Sequence, residues 1–573
     1  MVTGNSQTAM QLAAVVGSVL NAESEEDFDD NIDDKEKIDA RKALRETLIG
    51  SLTGVEVDSI DSLKQTASAL SIVTNSTSEL SAASKANAAN TLIRLSSFLS
   101  SKAADSSADG IEDSSRLLVN GLSNVLEAVI ATDVKNVTSP ESEEEVKQQN
   151  RNVSLVALTA LKDVKKALST NKVVGERPTY IKTDTLAMAL DRRDSKDIFG
   201  RTFSSTESGD TSVSSVRMPA SLPIGDSAVP MNIEMVEFHV NPFNWADNSR
   251  DIKSSITELS MMRGIEEIRL ENLAEPINIY LPQTPVSSNP VALNVSTTMM
   301  AYTEFEIPQN QTTMFVNLTL FSTNANKIAN PQEAGVNVYV RYGRKPNPFQ
   351  YNFKLGNYTR YGSEYVAYIP ASLLLERGTY HLGVLLRNKT NTTAYDLMLS
   401  SSRSQCRYWD TAVETWRGQG CSVGPDTIPS LTHCLCTHLS SFGSTWFVMP
   451  NKLNLAEDIS KFLTFWENPL TIALVVVLTI IYFLMLVWAR RKDKVDQEMI
   501  GVFELSDNDP LARHAYLVTV FNGSRRQAGT TSNVTMTLFG LKGKSEPHLL
   551  QHANHRMCQT GSVDTVLLRT EED

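Results

Sequence analysis

Four of the five cysteines in this 573-residue chain fall within 31 residues, Cys406, Cys421, Cys434 and Cys436, and that cluster limits what the surrounding segment can fold into. Cys434 and Cys436 are two residues apart, so on an extended segment both sulfurs lie on one face. Four cysteines allow three connectivities. A bridge between Cys434 and Cys436 is geometrically poor, because their Cα atoms on one strand lie near the upper limit for a disulfide. Two bridges from an outer loop, carrying Cys406 and Cys421, to one strand remain. Trp409 and Trp416 stand between the first two cysteines, and the spacing predicts a small core in which they pack against the disulfides.

The segment ends in His438-Leu439-Ser440. If a tight turn distorts the Leu439–Ser440 peptide, the Ser440 hydroxyl can attack the preceding carbonyl while His438 takes its proton, giving an ester that water cleaves. Read as a bare tripeptide, the same residues are a polar strand end. A zinc site from His433, Cys434, Cys436 and His438 is disfavoured, because neighbours on a strand alternate in direction and cannot all face one ion.

The pattern C-x-x-W, then W-x-x-x-G-C, then C-x-C-x-H-L-S-S-F over residues 406–442 resembles the GPS motif that closes a GAIN domain, the autoproteolysis-inducing domain of adhesion receptors and polycystins. The resemblance implies disulfides Cys406 to Cys434 and Cys421 to Cys436, with His438 as base and Ser440 as nucleophile. It implies scission between Leu439 and Ser440, with the two pieces staying associated because the strand beginning at Ser440 remains in its sheet. The sequence SSFGSTWFVMP is apolar enough for such a buried strand.

Residues 470–488, LTIALVVVLTIIYFLMLVW, hold nineteen positions without a charge, about 28 Å of helix, close to the thickness of a bilayer core. Trp466 and Trp488 stand near its ends like interfacial anchors. Arg490, Arg491, Lys492 and Lys494 follow, which puts the C-terminal side in the cytosol and everything before the span outside. Nine sequons agree with that orientation: Asn75, Asn136, Asn152, Asn294, Asn310, Asn317, Asn357, Asn388 and Asn391 all precede the span. Asn522 and Asn533 carry the sequon on the cytosolic side, out of reach of glycosylation. Cys558 is also there, without a partner. The first 23 residues lack a basic stretch followed by a sustained apolar run, so they do not read as a signal peptide, and a larger upstream region is expected. A net charge of −13 argues against nucleic acid as a partner.

Up to residue 172 the apolar residues recur at helical spacing in 43–52, 60–73, 86–99, 117–130 and 153–168, predicting a helical bundle. The acidic runs at 23–39 and 139–145 read as solvated loops; the first lacks the central glycine of an EF-hand. From 173 to 450 the period changes to two. Met314, Val316, Leu318 and Leu320 alternate with polar residues, as do Val336, Val338, Val340 and Tyr342, and Tyr380 to Leu386 continue the pattern. Asn317 falls on the face opposite the aliphatic set, so its glycan is expected to point to solvent. The expected fold class is multidomain α+β: a helical bundle, an antiparallel β-sandwich ending in the motif, one membrane helix and a partial cytosolic β-sandwich.

The cytosolic part supplies that last piece. After a polar linker over 489–512, HAYLVTVFNGSRRQAGTTSNVTMTLFGLKGKSEPHLL in 513–573 resembles the start of a PLAT domain, with A-G-T at 528–530 and S-E-P at 545–547. GAIN domain, single span, then PLAT is the order of the polycystin-1-type and receptor-for-egg-jelly family. That resemblance implies a plasma or ciliary membrane, a tie to calcium or cation-channel signalling through a polycystin-2-type channel bound by regions outside this chain, and a PLAT-like part that contacts lipid or protein. The alternatives are an adhesion G-protein-coupled receptor, with the strand after Ser440 as tethered agonist, and a self-processing domain with no signalling role. His548, His552 and His555 read as a surface run rather than a metal site. No H-E-x-x-H, Walker loop or G-x-S-x-G elbow is present, so no catalysis on other molecules and no cofactor is expected.

Overall fold

The computed structural model describes residues 3–26, 32–131, 140–207, 213–224, 229–264, 266–286, 290–295, 298–308, 312–322, 328–387, 395–449, 469–499, 501–553 and 555–571. They form two compact units, residues 1–451 and 452–573.

The first unit begins with six helices: α1 (Thr3–Glu26), α2 (Ile32–Thr53), α3 (Ile60–Val73), α4 (Ala82–Lys102), α5 (Ala108–Ala131) and α6 (Pro140–Thr170). Ser59 and Ser81 cap α3 and α4 by accepting from the amides of Ser62 and Ser84, which fixes where each helix starts. Leu63, Leu70, Leu92, Leu95, Leu118, Leu122 and Val164 are fully or almost fully buried among them. Both acidic runs differ from expectation. Residues 23–26 end α1 and residues 32–39 open α2, while α6 starts at Pro140 and takes the glutamates that follow into its first turns. Proline at the first helical position loses no hydrogen bond, and negative charge there faces the positive end of the helix dipole.

Instead of a single sandwich, one thirteen-stranded antiparallel sheet is shared by two smaller ones. Strand Tyr395–Asp410 is its long spine. The first part of that strand pairs with Thr313–Ser322, and its second part pairs with Ser441–Val448. Met314, Val316, Leu318 and Leu320 pack with Val336, Val338, Val340, Leu382 and Val384 of a four-stranded sheet. Further along, Met231, Ile233, Leu259, Phe442 and Trp446 pack with Ile277, Ile279 and Cys434 of a five-stranded sheet. On its opposite face this second part joins the helical core through Met188, Val236, Phe238 and Ile256. On the face of Thr313–Ser322 opposite the aliphatic set, Phe315 and the paired Val366 join the core of the five-stranded sheet, so Asn317 is buried, 8% exposed, and its amide donates to Glu364 at 3.0 Å. The expected face is right, but its solvent exposure is not.

In the second unit helix α7 (Pro469–Met499) carries the apolar stretch, with Leu474, Val475, Ile480, Phe483 and Leu484 exposed. Among the described residues it is the one helix long and apolar enough to cross a membrane. Strand Val563–Thr570 pairs antiparallel with His514–Phe521 and parallel with Val502–Glu504. The histidines there are not a plain surface run. His555 stacks on Phe503 with centroids 4.3 Å apart and donates to the fully buried Asp564 at 3.1 Å, and His548 is buried beside Asp507.

Candidate functional site

Strand Leu431–Cys436 lies between Cys421–Val423 and Ile277–Pro282 in the five-stranded sheet. Cys421 stands directly opposite Cys436 and is bonded to it, with Cα atoms 4.1 Å apart; Cys406 is bonded to Cys434 across to the large sheet, Cα atoms 5.7 Å apart. These are the pairings the motif implies. They engage every cysteine of the cluster, leaving no thiolate for zinc, and no group of residues able to hold a metal occurs among the described residues. His433 is turned elsewhere, stacked on Tyr280 and in contact with Asn278 at 3.0 Å.

The chain then leaves the five-stranded sheet at Cys436 and enters the large one at Ser441. Residues 437–440 make that crossing, so the Leu439–Ser440 bond lies between two sheets and belongs to neither ladder. Hydrogen bonds hold its N-terminal approach: the Thr437 amide donates to the Gly420 carbonyl at 2.9 Å, the Leu273 amide to the Thr437 carbonyl at 2.9 Å, and the Leu439 amide to the Leu270 carbonyl at 3.1 Å. The backbone at 438–440 has no positive φ. The tight-turn distortion expected from sequence is therefore not visible as a left-handed residue.

His438 is half-buried, its ring set edge-on to Tyr408 at 4.4 Å and stacked over Phe442 at 5.6 Å. Its Nε2 lies 3.3 Å from the Gln419 carbonyl, to which it can donate. Burial holds the imidazole below the ordinary histidine value, against the backbone hydrogen bonds at Gln419 and Leu439 and the field of Glu271. The ring is thus neutral at pH 7 and able to accept a proton. The Ser440 hydroxyl donates to the Trp409 carbonyl at 3.1 Å rather than to His438. A rotation of that hydroxyl is needed before the two side chains can act together.

Gly420, the glycine of W-x-x-x-G-C, has φ +75°, and a Cβ there would come within 3.0 Å of the His438 ring and of the Thr437 hydroxyl. Only glycine lets this turn close on the histidine without strain. The tryptophans do not pack on the disulfides. Trp409 and Trp416 face each other across a hairpin between Tyr395–Asp410 and Thr415–Arg417 and join the helical core, Trp409 stacked on Phe243 at 4.2 Å and edge-on to Trp245 at 5.4 Å. The Trp416 indole N–H donates to Ser249 at 3.1 Å. From α6, Arg151 reaches Glu414 in the hairpin turn through two hydrogen bonds, at 2.8 and 2.5 Å, and its guanidinium lies 5.6 Å from the Trp245 ring. Arg151, Phe243, Trp245 and Ser249 had no local signal in the sequence.

Strand Ser441–Val448 is seated between Tyr395–Asp410 and Ile256–Arg263, with Phe442 and Trp446 buried. Among the sequons, Asn75, Asn152 and Asn357 are exposed and Asn317 is buried. Asn294 lies on strand Val291–Val295. Asn136, Asn310, Asn388 and Asn391 are outside the described residues.

Comparison with known proteins agrees with this geometry. Residues 382–443 match the family described as GPS, GAIN subdomain B. The chain is 31% identical to human polycystin-1-like protein 3 over 350 residues, 59% of this chain and 20% of that protein. It is 33% identical to the mouse polycystin family receptor for egg jelly over 178 residues, 28% of this chain and 8% of that protein. With human polycystin-1 the identity is 20%, over 94% of this chain and 13% of that protein. The chain thus spans a fifth or less of the length of these relatives. Residues 382–443 thus carry a GPS of GAIN subdomain B, framed by the two disulfides, and over 59% of its length the chain is similar to a polycystin-type protein.

Proposed function

We propose that this chain is the GAIN and first membrane-spanning part of a polycystin-type receptor, and that it cleaves itself once between Leu439 and Ser440. The observation that carries the reading is the position of that bond: it crosses between two sheets with a neutral, half-buried His438 beside it and Ser440 following. In the reaction the Ser440 oxygen attacks the Leu439 carbonyl carbon as His438 accepts the hydroxyl proton. The C–N bond breaks, the proton passes to the departing Ser440 nitrogen, and the acyl group rests on the serine oxygen as an ester. Water then attacks the ester, releasing a Leu439 carboxylate and restoring the Ser440 hydroxyl.

Both disulfides lie N-terminal to the bond, so no covalent link joins the products; the strand from Ser441 stays seated by backbone pairing and by burial of Phe442 and Trp446. The functional unit is then a non-covalent heterodimer anchored in a bilayer by α7, with its GAIN part extracellular and the basic residues after Trp488 cytosolic. The C-terminal sheet acts as a PLAT-like contact for lipid or protein, and signalling passes through a polycystin-2-type cation channel. Cation-channel coupling follows from the family resemblance alone, and self-cleavage from the resemblance of the motif together with the position of His438 and Ser440.

The test is a reducing gel of the full chain made in the secretory pathway, beside Ser440→Ala and His438→Ala. Two bands for the parent, with the smaller product beginning at Ser440, and one band for each variant are expected. A single uncut band for all three contradicts the reading.

A further inference from the structure

Helix α6 touches the surroundings of the scissile bond twice. Arg151 binds the turn of the hairpin whose Trp409 carbonyl accepts the Ser440 hydroxyl. Fourteen residues later, about four turns and about 21 Å along the same face, Lys165 enters the seam between α6 and the large sheet. Its side chain is 5% exposed, and its ammonium donates to Glu258 at 2.8 Å and lies 3.5 Å from Glu234. Glu234 also accepts from Ser169 and Ser260, at 3.2 and 3.3 Å. Glu258 uses its second oxygen differently: it accepts the Ser441 hydroxyl at 3.3 Å.

Ser441 is the residue immediately after the proposed nucleophile. It stands in register opposite Glu258, and only one further residue pair, Phe442 with Thr257, joins these two strands. On its other edge the strand pairs with Tyr395–Asp410 over seven residues, but that ladder ends at Phe442 and does not include Ser441. The side-chain bond from Ser441 to a carboxylate held by a buried lysine adds a side-chain restraint at that point, long at 3.3 Å but made to a charged acceptor. Burial by itself would push the Glu258 carboxyl up; the Lys165 ammonium overrides this and, with Lys162 and Ser441, holds it below the usual carboxylate range. Burial would likewise lower Lys165, and the two carboxylates raise it instead. The pair therefore stays ionised, and removing Lys165 leaves the buried Glu234 and the partly exposed Glu258 without their cation.

We propose that Lys165, acting through Glu258 and the Ser441 hydroxyl, is a positioning residue for the self-cleavage: it fixes the start of strand Ser441–Val448 and hence the Ser440 backbone from which the nucleophile swings toward Leu439. This rests on the self-cleavage reading above. A misplacement far smaller than a side chain slows such a reaction strongly, because the attacking oxygen and the carbonyl must meet in one geometry.

The experiment is a pulse-chase of scission in the full chain, counting only protein in which both disulfides have formed. The variants are Lys165→Met, Lys165→Arg, Ser441→Val, Ser441→Thr and the double Lys165→Met with Ser441→Val. Valine and threonine fill the same space at 441 and differ in the hydroxyl, so a merely structural role would move both alike. Ser441→Val loses one hydrogen bond to a charged group and Lys165→Met the cation that holds the acceptor in place; each is expected to slow cutting about tenfold. Ser441→Thr is expected within about twofold of the parent, Lys165→Arg to recover part of the rate, and the double variant to be no slower than the slower single one. Equal rates for Ser441→Val and Ser441→Thr overturn the inference, as does a Lys165→Met chain cut at the parental rate. A parent that is never cut overturns the self-cleavage reading and the inference with it, whereas a parent cut alongside an equally cut Lys165→Met overturns the inference alone.

Discussion

The two sides of the Leu439–Ser440 bond are held by different physics. On the N-terminal side the chain is bonded covalently, Cys436 to Cys421 and Cys434 to Cys406, three and five residues from Leu439. On the C-terminal side no cysteine follows until Cys558, and strand Ser441–Val448 is held by non-covalent contacts, among them its ladders, the burial of Phe442 and Trp446, and the contact of Ser441 with Glu258. The difference teaches how one domain can be cut and remain whole. Covalent strength is concentrated where the chain supplies the histidine, and the segment that a cut would free is retained by packing, which a denaturant can undo.

The comparison breaks most readily on its packed side. Trp446→Ala removes a nearly buried ring that stacks on Phe315 at 5.2 Å. A buried aromatic lost to alanine costs about 3–5 kcal/mol, and the change is expected to appear as shedding of the N-terminal piece from membranes under mild denaturant. On the covalent side, replacing Cys421 and Cys436 together by serine opens a bridge with a sequence separation of 15. A loop of that size is worth about 3 kcal/mol. Because Cys421 Sγ lies 3.9 Å from the His438 ring, slower scission is expected together with a lower melting temperature. Gly420→Ala puts a side chain at φ +75° and 3.0 Å from the imidazole. A cost of about 1–3 kcal/mol follows for such strain, and scission is expected to slow more than thermal stability falls.

Acidification sharpens the comparison further. The folded His438 has a value below 6.5, so its neutral form, the one that accepts a proton, persists on acidification past the point where an ordinary histidine charges. The acid limb of the scission rate is therefore expected to have its midpoint below pH 6.5. The same sign governs stability: the contribution of neutral His438 is present above the unfolded value and is lost as pH falls below it. The smallest effect is expected from Arg151→Ala, because Arg151 and Glu414 are each about one-third exposed and exposed ion pairs add little. A melting temperature within error of the parent is expected, with any loss confined to the scission rate.

Much of this site was legible in the sequence because its signals are local. Two cysteines on one face of a strand and alternation over Met314–Leu320 and Val336–Tyr342 rest on geometry within one strand, while the disulfide pairings and the roles of His438 and Ser440 rest on the resemblance of the motif. What was not legible depends on residues that meet only in three dimensions. Lys165 looked like one lysine among several on a helix until Glu258 and Glu234 came to face it, 93 and 69 positions later in the chain. The tryptophans were rightly expected in a core, but which core depended on Phe243 and Trp245, which no spacing rule connects to them. Asn317 kept its expected face but lost its exposure because Phe315 and Val366 join a core on that face. The acidic run at 139–145 looked like a loop by composition, whereas proline followed by glutamates is also how a helix begins.

The most direct measurement takes the full chain, made in the secretory pathway and solubilised in mild detergent, through size-exclusion chromatography and then through a denaturing gel without reductant. The account predicts one complex on the column that separates on that gel into two pieces, the second beginning at Ser440, because both disulfides lie on one side of the cut. Pieces that stay joined until reductant is added, or a single intact chain under every condition, would contradict it.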